Sequence, residues 1–427
     1  MTLSARFYIL PGLVLLLMAG GFSVDAAESI TLQLAGGQEL EISKYAGSGE
    51  SLVLWLPSER GPGDYDAVHA RALAKLGHEV WLPDLHDAFF LQPERASISK
   101  IPVNDIVALI DAATRSSSAK IVLMSSTRGA QLALIAARQW QLQNPGNTAI
   151  QGILLMEAYL YEISAATGRP VDYLPIVNAT NLPVYLLDAQ FSTTAMRMQN
   201  LAGILGGGGS QVYTQILSGV RGGFQVRADS DLDETSQAAK QDFANIVNRA
   251  MRLLAVARVP RQAVSTDIET VVFSKSPPQN ISLIRLDSPK PAPPLRLSEY
   301  RGQDFSLAEK SGKLVLVNFW ASWCGPCVRE IPSLHRLQAM VDNPEFEIVT
   351  VNMGESRARI DAFLQQVPID FPILMDLDGE ISNLWKVYFY PSNYLVDQQG
   401  NIRYIYMGAL EWDSPENIGI IQNLLHP

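Results

Sequence analysis

Short apolar runs alternate with helix-length amphipathic stretches along most of this chain, and one proline-rich break divides them into two sets. Strands buried on both faces of a sheet by flanking helices leave this pattern, so each set implies an α/β domain. In the first set, residues 51–56 (SLVLWL), 79–83, 120–125, 152–157 and 183–188 read as strands, and 65–76, 103–116 and 129–143 as helices. A last long helix is expected at about 237–256, and the glycine run 206–209 reads as a loop. In the second set, 314–319 (LVLVNF), 347–352, 371–375, 394–397 and 402–407 read as strands, and 324–341, 357–366 and 415–425 as helices. Gln398-Gln399-Gly400-Asn401 is a turn signal that joins the last two strands into a hairpin. A length of 427 residues agrees with more than one core. The expected division is 1–26 as an export signal, 27–273 as the first domain, 274–290 as a semi-rigid extended linker and 291–427 as the second domain.

Charge removes whole classes of function. The net charge of −10, with no long run of Lys and Arg, argues against nucleic acid and against a polybasic membrane patch. Arg6 followed by an apolar stretch to Val24, and the small-x-small sequence Val24-Asp25-Ala26, read as a secretory signal cleaved before Ala27. An uncleaved anchor is the other reading, although Pro11, Gly12, Gly20 and Gly21 interrupt the stretch. Both place the bulk of the chain outside the cytoplasm, and the periplasm is the expected compartment.

The chain has two cysteines, Cys324 and Cys327. They close too small a loop to staple a domain, so their role is chemical rather than structural. Trp323-Cys324-Gly325-Pro326-Cys327 follows an expected strand and opens an expected helix. Unpaired N–H groups and the positive end of the helix stabilise a thiolate at Cys324, the nucleophile. Cys327, one turn further in, resolves the mixed disulfide. Pro326 suits the first helical turn, where its missing N–H costs nothing. A zinc site would need two more ligands, and His69, His78, His86, His335 and His426 have no metal-ligand spacing near the pair. No metal and no cofactor are expected.

Residues 315–332 (VLVNFWASWCGPCVREIP) resemble the active-site segment of TlpA/ResA-type thiol–disulfide oxidoreductases. The resemblance extends over about 291–425, roughly a third of the chain, through Val351-Asn352-Met353-Gly354-Glu355-Ser356 and Tyr394-Leu395-Val396-Asp397. It implies a thioredoxin fold, export, protein disulfide or dithiol clients and a membrane thiol-reductant carrier as electron donor. It also implies an acid at Glu330 that moves protons if buried near the thiols, and a cis-proline at Pro391. Trp323 and Tyr390 would then flank the client, with Tyr390 presenting backbone to it. Pro332 matches the kink of the active-site helix. There are two departures. Asn318 stands where cytoplasmic thioredoxins have a buried aspartate, and Tyr390 is bulkier than the family's usual residue. The Gly-Pro dipeptide favours a reductase.

The first domain resembles an α/β-hydrolase of three layers. Ser125-Ser126-Thr127-Arg128-Gly129 occupies the place of the nucleophile elbow, with Thr127 as nucleophile and Ser125 replacing the first glycine. A β-branched residue is expected to fit that strained turn poorly. No histidine follows before His335, and near the expected place Ser218-Gly219-Val220-Arg221-Gly222-Gly223-Phe224 has glycine where the base belongs. A binding module on a former hydrolase scaffold is therefore expected, with Glu157 and Asp188 at strand ends. A scaffold protein with redox-sensing thiols, and a hydrolase with an unorthodox site, remain open alternatives.

Overall fold

The computed structural model describes residues 27–162, 172–267, 269–274, 283–387 and 390–426. The proposed export signal lies outside these residues. The chain divides into two compact units. Of the described residues, one unit comprises 27–161, 173–190, 197–267 and 269–274, and the other 162, 172, 191–196, 283–387 and 390–426.

The first unit is built on strands β1 (Glu28–Gln33), β2 (Glu39–Tyr45), β3 (Ser51–Trp55), β4 (Glu79–Pro83), β5 (Lys120–Ser126), β6 (Ile150–Met156), β7 (Val184–Phe191) and β8 (Val212–Arg221). They form one sheet in the order β1-β2-β4-β3-β5-β6-β7-β8. β4, β3, β5, β6 and β7 run parallel, while β1 and β2 are antiparallel additions at one edge. Helices α1 (Asp66–Lys75), α2 (Leu85–Ala88), α3 (Val103–Ser116), α4 (Gly129–Gln143), α5 (Pro175–Asn178), α6 (Met198–Gly207), α7 (Glu234–Gln241) and α8 (Phe243–Ala255) complete the unit.

Alternation along each strand divides the core. Leu52, Leu54, Ile121, Leu123, Ile153 and Leu155 join the cluster that holds α3 and α4. Their neighbours Val53, Trp55, Val122, Met124, Leu154 and Met156 join the cluster that holds α1 and α8. Successive strand residues point to opposite faces, so unbroken apolar runs are what a sheet covered on both sides requires.

Three expectations are corrected here. The single helix at 237–256 is two, because Asp242 closes α7 and caps α8. Its carboxylate accepts from Asn245 and pairs with Arg249. The break lets Ser236 of α7 reach the N–H of Arg221 on β8 (2.9 Å) while α8 buries Phe243, Ile246, Val247, Ala250, Met251 and Leu254. The glycine run 206–209 is not wholly loop, since α6 extends through Gly207. Strands β1, β2 and β8 were not anticipated. β1 and β8 have mostly exposed or half-buried residues, so their apolar signal is weak.

The second unit has a six-stranded sheet ordered β14-β13-β12-β15-β16-β9. Its strands are β9 (Ile284–Pro291), β12 (Leu314–Trp320), β13 (Phe346–Met353), β14 (Ile373–Asp376), β15 (Ser392–Val396) and β16 (Asn401–Met407). A small ribbon of β10 (Arg296–Ser298) and β11 (Asp304–Ser306) accompanies it. β12, β13 and β14 are parallel, and β15, β16 and β9 continue the sheet antiparallel. Helices α9 (Gly325–Val341), α10 (Arg357–Leu364), α11 (Glu380–Leu384) and α12 (Pro415–Leu425) pack with the central strands. The hairpin at 398–401 forms as expected, with Gly400 at φ 80° and the Asp397 carboxylate accepting from the N–H groups of Gln399 and Asn401. The linker expectation is corrected from Ile284 onward, because these residues pair with β16 as an edge strand. An edge tolerates Pro289 and Pro291, which donate no ladder hydrogen bond.

Candidate active site

Seven consecutive buried residues, LVLVNFW, form β12 at the centre of the second sheet. The strand delivers the chain at Ala321 into a tight turn in which the Cys324 N–H donates to the Ala321 carbonyl (3.1 Å). Helix α9 starts at once. Cys324 is its N-cap in extended conformation, and its Sγ accepts from the Cys327 N–H at 3.2 Å. A capping group normally contributes a side-chain oxygen to this bond, and here a sulfur takes its place. The two cysteines are joined as a disulfide with Cα atoms 5.3 Å apart. Both are buried, Cys324 at 6% exposure and Cys327 at 1%.

Glu330 lies one turn beyond Cys327 and is 2% exposed. Its Oε1 accepts from the Leu410 N–H (3.0 Å), Trp412 Nε1 (2.8 Å) and Asn393 Nδ2 (3.1 Å), and its Oε2 from Asn318 Nδ2 (3.0 Å). Desolvation pushes its pKa up to about 7, against the pull of these four donors. Asn318 and Asn393 face each other across β12 and β15 and are themselves hydrogen-bonded at 2.7 Å. The departure at Asn318 thus has a physical use: an aspartate there would set a second buried anion against Glu330.

The Tyr390–Pro391 peptide bond is cis. The Trp323 ring meets Tyr390 edge-on at 5.8 Å, and Trp320 packs on Phe363 at 5.3 Å. Pro332 lies inside α9, which continues through it. Sequence reasoning singled out Glu330 but none of its partners among Asn393, Leu410 and Trp412. They lie 63 to 82 residues away; the polar side chains of Asn393 and Trp412 carry some signal in the sequence, whereas Leu410 donates through its backbone N–H and carries none.

The first unit carries a second strand–turn–helix junction, between β5 and α4. Thr127 adopts φ 47° there, a conformation that strains a β-branched residue, as expected of this turn. Its N–H donates to Met156, its carbonyl accepts from Tyr159, and its Oγ1 donates to Glu59 Oε2 at 2.5 Å. The same Glu59 oxygen accepts from the Arg128 N–H (3.1 Å). Gly129 has no room for a Cβ, which would stand 2.3 Å from the Pro57 carbonyl oxygen. Of the three histidines of this unit, His69 meets the Gln225 carbonyl and His78 meets Ser51 and Asn248, while His86 meets Ser97 through Nε2, leaves Nδ1 without a hydrogen-bond partner and feels the Glu59 charge. Glu157, at φ 48°, accepts from the Gly223 N–H (2.8 Å), and desolvation pushes its pKa up to about 7. Asp188 is buried within β7.

Residues 289–405 match the AhpC/TSA family. The thiol–disulfide oxidoreductase ResA of Geobacillus thermodenitrificans is 33% identical over 119 residues, 28% of this chain and 68% of that protein. The thioredoxin-like protein YneN of Bacillus subtilis is 36% identical over 122 residues, 28% of this chain and 71% of that protein. Among solved structures, a thioredoxin-family thiol:disulfide interchange protein from Chlorobium tepidum is 26% identical, covering 32% of this chain and 97% of that one, with a TM-score of 0.29. Through its C-terminal thioredoxin-like domain, the chain belongs to the ResA-type thiol–disulfide oxidoreductases of the AhpC/TSA family.

Proposed function

We propose that the enzyme reduces disulfides of exported protein clients through Cys324 and Cys327. The observation that carries this reading is the placement of Cys324 as N-cap of α9, with the Cys327 N–H directed at its sulfur. In the reduced enzyme those helix N–H groups favour the Cys324 thiolate. The thiolate attacks one sulfur of a client disulfide, forming a mixed disulfide and releasing the first client thiolate. Cys327 then loses its proton and attacks the Cys324 sulfur. The second client thiolate leaves, the client has gained two electrons, and the enzyme is left as the Cys324–Cys327 disulfide. Glu330, with its pKa near neutrality, accepts the Cys327 proton and returns it in the reverse direction. Trp323, Tyr390 and Pro391, all buried here, are the residues proposed to meet the client strand. Recharging then calls for a membrane thiol-reductant carrier.

The first unit is proposed as a client- or partner-binding module on a former hydrolase scaffold, spanning 27–273. The Thr127 turn supports the hydrolase-like reading, since a residue at positive φ between strand and helix is what the nucleophile elbow requires. Glycines in place of the base argue against turnover. Residues 1–26 are proposed to export the chain to the periplasm.

The deciding measurement is the equilibrium reduction potential of the cysteine pair against glutathione. A value near about −270 mV is expected of a reductase, whereas a value towards about −120 mV would make it an oxidant. Loss of disulfide exchange on Cys324→Ser is expected, and retained exchange would remove the assignment.

A further inference from the structure

Glu355 is a fully buried carboxylate to which neither the sequence motif nor the thiol chemistry assigns a role. It lies between the end of β13 and the start of α10, just after Gly354, whose φ of 69° makes the turn. Its Oε2 accepts from the Ser322 N–H (2.7 Å) and Asn352 Nδ2 (2.8 Å). Its Oε1 accepts from Ser322 Oγ (2.5 Å) and pairs with Arg359 Nε (3.0 Å). A buried carboxylate is expensive unless it is fully paired, so these four partners define one position for it.

Ser322 is two residues before Cys324. The turn from β12 into α9 has left its sheet ladder and has not yet entered the helix, so its N–H groups need partners from elsewhere. Glu355 supplies one. β12 and β13 are parallel neighbours, with Trp320 opposite Asn352. Their outgoing turns therefore lie side by side, and Glu355 ties one to the other. While the disulfide is closed, the Cys324–Cys327 bond also restrains the turn. Once it opens, the Glu355 contacts act beside the bonds from Cys324 N–H to Ala321, Val328 N–H to the Cys324 carbonyl and Cys327 N–H to the Cys324 sulfur in holding the capping conformation.

We propose that Glu355 is a positioning residue for the nucleophile: gripping Ser322, it keeps the Cys324 thiolate against the N–H groups that open α9. This rests on the assignment of Cys324 as nucleophile. The sign of the effect separates positioning from simple charge. Removing a negative charge near a thiol, and leaving Arg359 without its partner, would lower the thiol pKa. Releasing the turn takes the thiolate away from its donors and raises it.

The test is an absorbance titration of the Cys324 thiolate, with its rate of attack on a small aromatic disulfide. The full chain carries Cys327→Ser, so that a single thiol reports, and Arg329 and Glu330 on α9 stay unchanged. In this parent a thiol pKa below that of free cysteine and rapid attack are expected. If Cys324 does not react, the nucleophile assignment fails and this inference falls with it. Given a reactive parent, Glu355→Gln is expected to raise the thiolate pKa by about one unit and to slow attack at acidic pH about tenfold. An unchanged or lowered pKa in the folded variant overturns the positioning role, even if its thermal stability drops. Should Glu355→Gln not fold, Ser322→Ala decides. It alters no charge and removes only the hydroxyl contact, so a rise of about twofold in the acid constant's reciprocal is expected, and no rise overturns the proposal.

Discussion

The β5–α4 junction and the β12–α9 junction are built alike, and their differences show what a strand–turn–helix needs in order to work. Each ends a buried parallel strand and places a nucleophilic side chain at the start of a long helix. Each also has a buried or shielded glutamate with its pKa pushed up to about 7, Glu157 in one unit and Glu330 in the other. At the second junction the helix N–H groups are directed at the Cys324 sulfur, and the next reactive group stands one turn away. At the first junction the Thr127 hydroxyl and the Arg128 N–H both meet the Glu59 carboxylate, and the facing loop offers the Gly223 N–H to Glu157. A thiol needs only local help to ionise near neutral pH. A hydroxyl needs a positioned base, and the Thr127 hydroxyl donates to Glu59 rather than to a histidine.

The comparison is broken most severely at Cys324 and Thr127 themselves. Cys324→Ser is expected to abolish reduction of a protein disulfide, while Thr127→Ala leaves it unchanged. Turnover with insulin as disulfide substrate checks both, and exchange that depends on Thr127 would undo the division of labour. A smaller loss is expected from Glu330→Gln, roughly a hundredfold at pH 7, with disappearance of the rate step near that pH. A pH–rate profile retaining the step would assign it to another group.

Stability sharpens the comparison further. Glu330 and Glu157 each have a folded pKa of about 7 against an ordinary value of 4.5. Between those values the folded state holds more protons than the unfolded one, so each group lowers stability as pH rises through the window. The stabilising contribution of the neutral form is complete below about pH 4.5 and is lost by about pH 7. Glu330→Gln and Glu157→Gln are each expected to flatten the fall in denaturation midpoint across this window. Only the first should also slow exchange. A Glu157→Gln variant that slows exchange would show that the first unit takes part in the chemistry.

The smallest effect is expected at the β5–α4 turn. Thr127→Gly relieves a positive φ that costs a non-glycine residue about 1 kcal/mol, but it loses the bond to Glu59 and gains unfolded-state freedom. A net change within about 1 kcal/mol in thermal unfolding is expected, with exchange unaffected. A larger loss would mean that the Glu59 contact outweighs the strain it maintains.

Much of the architecture was legible because it is local. Runs such as LVLVNFW and KIVLMSS announce doubly covered strands by themselves, and Cys324-Gly325-Pro326-Cys327 announces a reactive helix start by spacing alone. Residues whose structure depends on distant partners were not legible. Ile284–Pro291 reads as a linker because prolines disfavour a strand, and only pairing with β16 makes it one. Asp242 reads as an ordinary helix position, and the need for α7 to reach β8 while α8 covers the sheet makes it a break. Thr127 reads as a misfit, yet bonds to Met156, Tyr159 and Glu59 hold it at positive φ.

The sequence by itself determined the two sets of strand–helix alternation, the location of the thiols and the absence of a histidine from the expected place in the first unit. Tertiary structure alone decided the state of Glu330. Its charge depends on burial and on Asn318, Asn393, Leu410 and Trp412, which only folding brings together. Periodicity and spacing are properties of neighbours along the chain, whereas the protonation of a buried carboxylate is set by the solvent removed from it and the donors that replace that solvent.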